Sequence, residues 1–299
     1  MPPTHARLAV LIDADNTSPR HATALLEEVA KYGVPTVKRA YGDWTTQNLV
    51  GWKVELNRNA IHPIQQFAYT ARKNSTDSAL IIDAMDLLYT GDLDAFAIVS
   101  SDSDFTRLVT RLRESGKTVY GFGRRRTPES LVAACDKFIY LEILDQDAEP
   151  DERVGVDAAD DADPDEPDES TPLPNLQSIL AKAINATSQD DGWARLDAVG
   201  SWLSTRHASF DPRNYGASKL VDLVRGERFV EVDQPDSGQL RVRLKGGRRT
   251  TTASATPPEA STTPAKTPAK DAPKTATKTA AKRTTKRTTK RTPAPDQSS

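Results

Sequence analysis

Two short apolar runs that stop abruptly in aspartates constrain this chain more than any other feature. Val10, Leu11 and Ile12 lead into Asp13, Ala14, Asp15 and Asn16, and Ala97, Ile98 and Val99 lead into Ser100, Ser101, Asp102, Ser103 and Asp104. A run this short, bounded by polar residues, reads as a strand buried on both faces. Further strand-like segments fall at 35–41, 61–67 and 118–122, beside 8–12 and 95–99. Between them, residues 21–31, 47–57, 76–89, 104–113 and 128–134 repeat their apolar positions at helical spacing. Ser18 and Pro19 look like the cap and first residue of the first helix. Strands alternating with helices build a parallel sheet covered on both faces, so the fold class is α/β.

In an open parallel sheet, ligands gather beyond the carboxyl ends of the strands. Two acidic clusters at two such ends meet if their strands are neighbours. Carboxylates held that close repel one another unless a hard cation such as Mg²⁺ or Mn²⁺ lies between them. Asp77, just ahead of an amphipathic helix, is placed to contribute from a third loop. Asp15 and Asp104 have a plainer alternative, since an acid at a helix N-terminus suits the helix dipole. Asp83 lies six residues beyond Asp77, about 240° around a helix, and is expected to serve structure instead.

Composition divides the remainder. Residues 1–144 carry 17 basic and 17 acidic side chains, whereas 145–171 carry 13 acids and one base. The latter block cannot bury enough apolar surface to order itself and reads as an extended linker. Residues 172–245 regain a core pattern, with three short helices and two alternating segments around Asp236, Ser237 and Gly238. That is a winged-helix (α+β) pattern. Residues 246–299 hold 12 basic and three acidic side chains among Thr, Ala and Pro, and read as a disordered basic tail suited to phosphate contacts. Cys135, the one cysteine, excludes an internal disulfide and is expected to be buried and inert. The four histidines are too scattered to form a metal set. No apolar stretch approaches the roughly 20 residues that span a bilayer, and no signal peptide opens the chain, so a cytoplasmic protein without membrane contact is expected.

The segments LIDADNT (11–17), KRAYGDW (38–44), TDSALIIDAMDLL (76–88) and IVSSDSDFTRLVTRLRESGKTVYGFG (98–123) together resemble the NYN domain of the LabA-like group, within the PIN-like nucleases. The resemblance spans most of residues 7–142 and implies a Rossmannoid, PIN-like sheet domain over 1–144. It also implies Asp13, Asp77, Asp102 and Asp104 as catalytic metal ligands, with Asn16 in support. The implied chemistry is RNA phosphodiester hydrolysis assisted by Mg²⁺ or Mn²⁺.

Three segments of the second core resemble the OST-HTH domain, also called LOTUS, an RNA-binding winged helix. They are DGWARLDAVGSWL (191–203), FDPRNYGASKLVDLV (210–224) and FVEVDQPDSGQLRVRLK (229–245). The implied partner is RNA, with DNA a further ligand for the basic tail. Lys73, Arg124, Arg125 and Arg126 occupy loops at the sheet's carboxyl edge, and Arg213, Tyr215 and Lys219 border the expected recognition helix, so these seven are the candidate RNA contacts. Tyr41 and Trp44 are expected to pack more than to stack on bases, and Trp193 and Trp202 to lie in the core. The leading reading is a metal-dependent endoribonuclease. The alternatives are a non-catalytic RNA- or DNA-binding regulator with a structural ion, and a phosphatase-like hydrolase using the DxDxT pattern of residues 13–17.

Overall fold

The computed structural model describes residues 6–67, 75–144, 172–235 and 238–245. Lys73, the acidic segment 145–171 and the basic tail 246–299 lie outside the described residues.

Six parallel strands form the central sheet. They are β1 (Arg7–Asp13), β2 (Val34–Gly42), β3 (His62–Gln65), β4 (Ala95–Val99), β5 (Thr118–Gly123) and β6 (Lys137–Tyr140), in the order β3-β2-β1-β4-β5-β6. Alternation along the central strands sorts side chains to two faces. Leu8, Val10 and Ile12 of β1 join Ala95, Ala97 and Val99 of β4 in one core. Ala9 and Leu11 join Phe96 and Ile98 in the other. Helices α1 (Ala22–Ala30) and α2 (Trp52–Arg58) cover the first core, through Leu25, Val29, Trp52 and Leu56. Helices α3 (Ser75–Thr90), α4 (Thr106–Glu114) and α5 (Glu129–Ala134) cover the second, and α6 (Leu141–Leu144) follows β6.

The five expected strands are all present, and the sixth, β6, was not legible. Its four residues hold too short a pattern to separate from the preceding helix, and it exists because β5 offers it an edge. The expected first helix is divided into a 3₁₀ turn (Pro19–His21) and α1, and Ser18 makes no side-chain cap. The second starts later than expected, at Trp52, after a series of turns. Cys135 is buried, and burial pushes its thiol up to about 12, as suits an inert core residue.

The second part contains α7 (Leu176–Thr187), β7 (Ala194–Arg195), α8 (Leu196–Arg206), α9 (Leu220–Gly226), β8 (Val230–Asp233) and β9 (Arg241–Leu244). Asn175 caps α7 by accepting from Ser178 N at 2.9 Å. The third helix, expected over 217–224, starts later, at Leu220; a 3₁₀ turn, Pro212–Tyr215, precedes it, and Gly216 ends that turn at φ 79°, a left-handed conformation that favours glycine. The three strands form an antiparallel sheet in the order β7-β9-β8. Trp202 packs against this core as expected. Trp193 does not follow that expectation: its ring lies under the guanidinium groups of Arg241 and Arg243, at 5.3 and 4.5 Å from its centroid. Residues 241 and 243 share one face of β9, and the flat indole bridges them.

Candidate metal centre

The strand order reverses direction between β1 and β4, and at that switch point the two acidic clusters come together. Asp13 ends β1 and is fully buried. Asn16 Nδ2 donates to its Oδ2 at 2.9 Å, and Ser100 Oγ donates to the same oxygen at 2.8 Å. Its Oδ1 is buried with no hydrogen-bond partner among the described residues. Burial is the first cause that raises the Asp13 carboxyl above its ordinary value, and the neighbouring Asp15 adds to it.

Asp77 reaches the same place from the first turn of α3, and is 8% exposed. Its carboxyl is pushed up to about 6, first by burial and then by the negative charges of Asp13, Asp102, Asp104 and Asp15. Asp102 and Asp104 come from the loop after β4. Asp102 Oδ1 accepts from Asp104 N at 2.8 Å, capping the 3₁₀ turn Ser103–Phe105 that leads into α4. Carboxylate oxygens of Asp77, Asp102 and Asp104 all lie within 4.8 Å of one another. Three of the four expected aspartates therefore form one possible ligand set, with Asp13 buried nearby.

The residue absent from the sequence-based list is Ser100. It is buried, donates to Asp13 and accepts from Asp102 N at 3.1 Å, so one hydroxyl ties the ends of β1 and β4 together. Its place directly after the apolar run was a usable signal, but serines at strand ends are common. Gly123 helps seat it. A Cβ there would lie 2.8 Å from Ser100 O and 2.7 Å from Thr127 Oγ1, so only glycine lets the β5 exit press against the β4 exit. Arg124 N then donates to Ser101 Oγ at 2.8 Å.

This donor set fits a hard divalent cation. All the available ligands are carboxylate oxygens, one buried oxygen lacks a partner, and Asp77 is destabilised as an anion by its neighbours. Such a cation would offset the repulsion that burial and crowding create. Asp83 stands apart, accepting from Arg39 and from the Tyr41 hydroxyl of β2, the strand beneath its helix, which matches its expected structural role. Tyr41 is fully buried, and Trp44 donates to Ile64 O at 2.9 Å, so both aromatics pack. Asp15, the second acid of the phosphatase-like pattern, is exposed and accepts from Thr76 Oγ1 at 2.7 Å.

The expected RNA contacts are spread more widely. Arg124 and Arg125 are half-buried and Arg126 is exposed, in the loop after β5. The backbone N–H of Arg125 donates to Glu142 Oε1 at 2.9 Å. Lys219 is exposed at the start of α9. Tyr215 donates its hydroxyl to Pro174 O at 2.9 Å, and Arg213 is engaged by Glu28 and Asp211. No helix among the described residues is long and apolar enough to cross a membrane.

A family model described as the NYN domain matches residues 7–142, and one described as the OST-HTH/LOTUS domain matches residues 170–242. Among solved structures, a protein of unknown function from Vibrio parahaemolyticus is 19% identical, with a TM-score of 0.39, over 47% of this chain and 95% of that one. A fragment of a Chromobacterium violaceum protein is 39% identical, with a TM-score of 0.21, over 24% of this chain and 82% of that one. No curated protein matches.

Proposed function

Since the chain carries an NYN domain, of the PIN-like nuclease class, followed by an OST-HTH/LOTUS domain, which implies RNA binding, we propose that it is a divalent-metal-dependent endoribonuclease. In this reading residues 1–144 cut RNA and residues 172–245 hold it, with 145–171 as a linker and 246–299 as a basic tail that adds phosphate contacts. The observation that carries the proposal is the grouping of Asp77, Asp102 and Asp104 within 4.8 Å, beside a buried Asp13 oxygen that lacks a partner.

A bound Mg²⁺ or Mn²⁺ supplies Lewis acidity to the scissile phosphodiester and offsets negative charge in its transition state. Asp77, Asp102 and Asp104 would hold that ion, and Asp13 would add negative charge beside it. Asn16 and Ser100 each donate to Asp13 Oδ2, which orients the carboxyl and leaves Oδ1 without a hydrogen-bond partner among the described residues. Arg124 and Arg126, in the loop beside the β4 exit, bind the phosphates that flank the cut.

The test is gel cleavage of end-labelled single-stranded and structured RNA by the purified chain, with Mn²⁺, with Mg²⁺ and with chelator. Metal-dependent cleavage is expected, lost in Asp13→Asn and in Asp102→Asn while RNA binding persists. Full activity in both variants, or none in the native chain with either ion, refutes the assignment.

A further inference from the structure

The Pro212–Tyr215 turn was expected to border an RNA-reading helix, yet its arginine points elsewhere. Arg213 Nη1 and Nη2 donate to Glu28 Oε2 and Oε1 at 2.9 and 3.0 Å. Glu28 lies on α1, in the sheet domain, 185 residues earlier. The same guanidinium donates through Nε and Nη2 to Asp211 Oδ1 and Oδ2 at 3.1 and 2.9 Å. One planar fork thus bridges two carboxylates, each buried, from two domains.

Both sides of this contact are built in advance. Asp211 caps the 3₁₀ turn by accepting from Arg213 N at 3.0 Å, so the turn that presents the arginine also holds its side chain. Glu28 also accepts from Lys31 Nζ and from the Tyr32 hydroxyl, each at 2.7 Å, and Lys137 Nζ in turn donates to that hydroxyl at 2.8 Å. Burial raises the Glu28 carboxyl, but the Arg213, Lys31 and Tyr32 hydrogen bonds outweigh it and hold the group at about 2. Groups fixed before they meet lose little entropy on meeting.

Around this ion pair the second domain closes the sheet's edge. β6 is an edge strand, and its Phe138 N–H donates to Ala208 O, just past α8, at 2.8 Å. Leu173 packs onto the core beneath α3 to α5. The described residues up to 245 accordingly fall in one compact unit.

We infer that the 211–215 segment is a docking element, in which Arg213 acts as a positioning residue that seats the winged-helix domain on α1 and β6 and so sets where held RNA meets the acidic cluster. This rests on the ribonuclease reading for its consequence, though the docking itself does not. RNA is then taken by residues outside the joint, among them exposed Lys219 and Arg225 of the α9 region.

The experiment compares the full native chain with Arg213→Ala and Glu28→Gln. Glu28→Gln keeps the shape of the contact, removes one charge and touches nothing in the second domain's RNA surface, and it serves if Arg213→Ala fails to fold. Small-angle scattering reads compaction, and cleavage sites on an end-labelled RNA are mapped to the nucleotide. Each variant is expected to expand in solution, to shift its cleavage sites to the same broadened set, and to lose less than about tenfold in RNA affinity. If both folded variants stay as compact as the native chain, the docking role is overturned. Loss of more than about tenfold in affinity by Arg213→Ala alone, with unchanged compaction, makes Arg213 an RNA contact and also overturns it. If the native chain cuts no RNA, the nuclease reading and the role in cleavage fall together, while scattering still decides the docking.

Discussion

Replacing Asp77 by Asn should make the metal-free protein more stable, although the residue is proposed to be essential for activity. Burial and four neighbouring acids push the Asp77 carboxyl from an ordinary 3.8 up to about 6. At neutral pH and above, its ionised form is disfavoured by about 3 kcal/mol relative to an unfolded chain. A carboxyl raised in the folded state contributes fully below about 3.8, and that contribution is lost as the pH rises through about 6. Asn carries no charge at any pH and fits the same space. In chelator at pH 8, Asp77→Asn should therefore melt above the native chain by at most about 6 to 12 °C, taking roughly 2 to 4 °C per kcal/mol for a folded part of this size. The difference should close as the pH falls toward 4. Mn²⁺ should invert the order at about 1,000 times its dissociation constant, where it adds about 4.1 kcal/mol to a native site, more than the deficit of about 3 kcal/mol, and little to one that lacks a ligand. The assay is differential scanning fluorimetry of both proteins from pH 4 to 8, with and without the ion. A variant no more stable than the native chain at pH 8 in chelator, or an ion that raises both equally, refutes the crowded-carboxylate account.

Two further outcomes are expected, one from the contacts of Ser100 and one from the charge of the C-terminal segment. Ser100→Ala removes the donor to Asp13 and the acceptor for Asp102 N, so single-turnover cleavage should fall about 10- to 100-fold, with RNA affinity unchanged; a native rate would show that the hydroxyl positions neither acid. Deleting residues 246–299, with a net charge of +9 from 12 bases and three acids, should flatten the slope of log RNA affinity against log salt by roughly 3 to 4 if four to six charges engage at once; equal slopes for the two chains would assign the tail another partner.

Much of the α/β domain was legible because its signals are local. A strand buried on both faces must be apolar throughout, and β4 (Ala95–Val99) is buried at all five positions. Asp13, Asp77, Asp102 and Asp104 stood out because each lies where an apolar or amphipathic segment begins or ends, and because the surrounding segments resemble one family. Asn16 was read as support for Asp13, and donates to it. Boundaries were less legible. The 3₁₀ turns at Pro19–His21 and Ser103–Phe105 continue helical spacing with a tighter winding, which apolar periodicity cannot distinguish over three residues.

Other features depend on partners distant in the chain. No local pattern says that β4 pairs with β1 instead of β3, yet that pairing alone brings residue 13 beside residues 100–104. Strand β6 needs β5 on one side and Ala208 on the other before four residues count as a strand. Trp193 read as core because large aromatics usually are; β9 instead turns Arg241 and Arg243 toward its ring. Arg213 shows the limit most clearly. Its neighbours in sequence describe a basic residue on an RNA-binding turn, and only the folded chain sets Glu28 in front of it. Hydrophobic period and end residues are properties of a segment, so they survive in a linear reading. Which segments lie side by side is a property of the whole core, decided by the best joint burial of all of them.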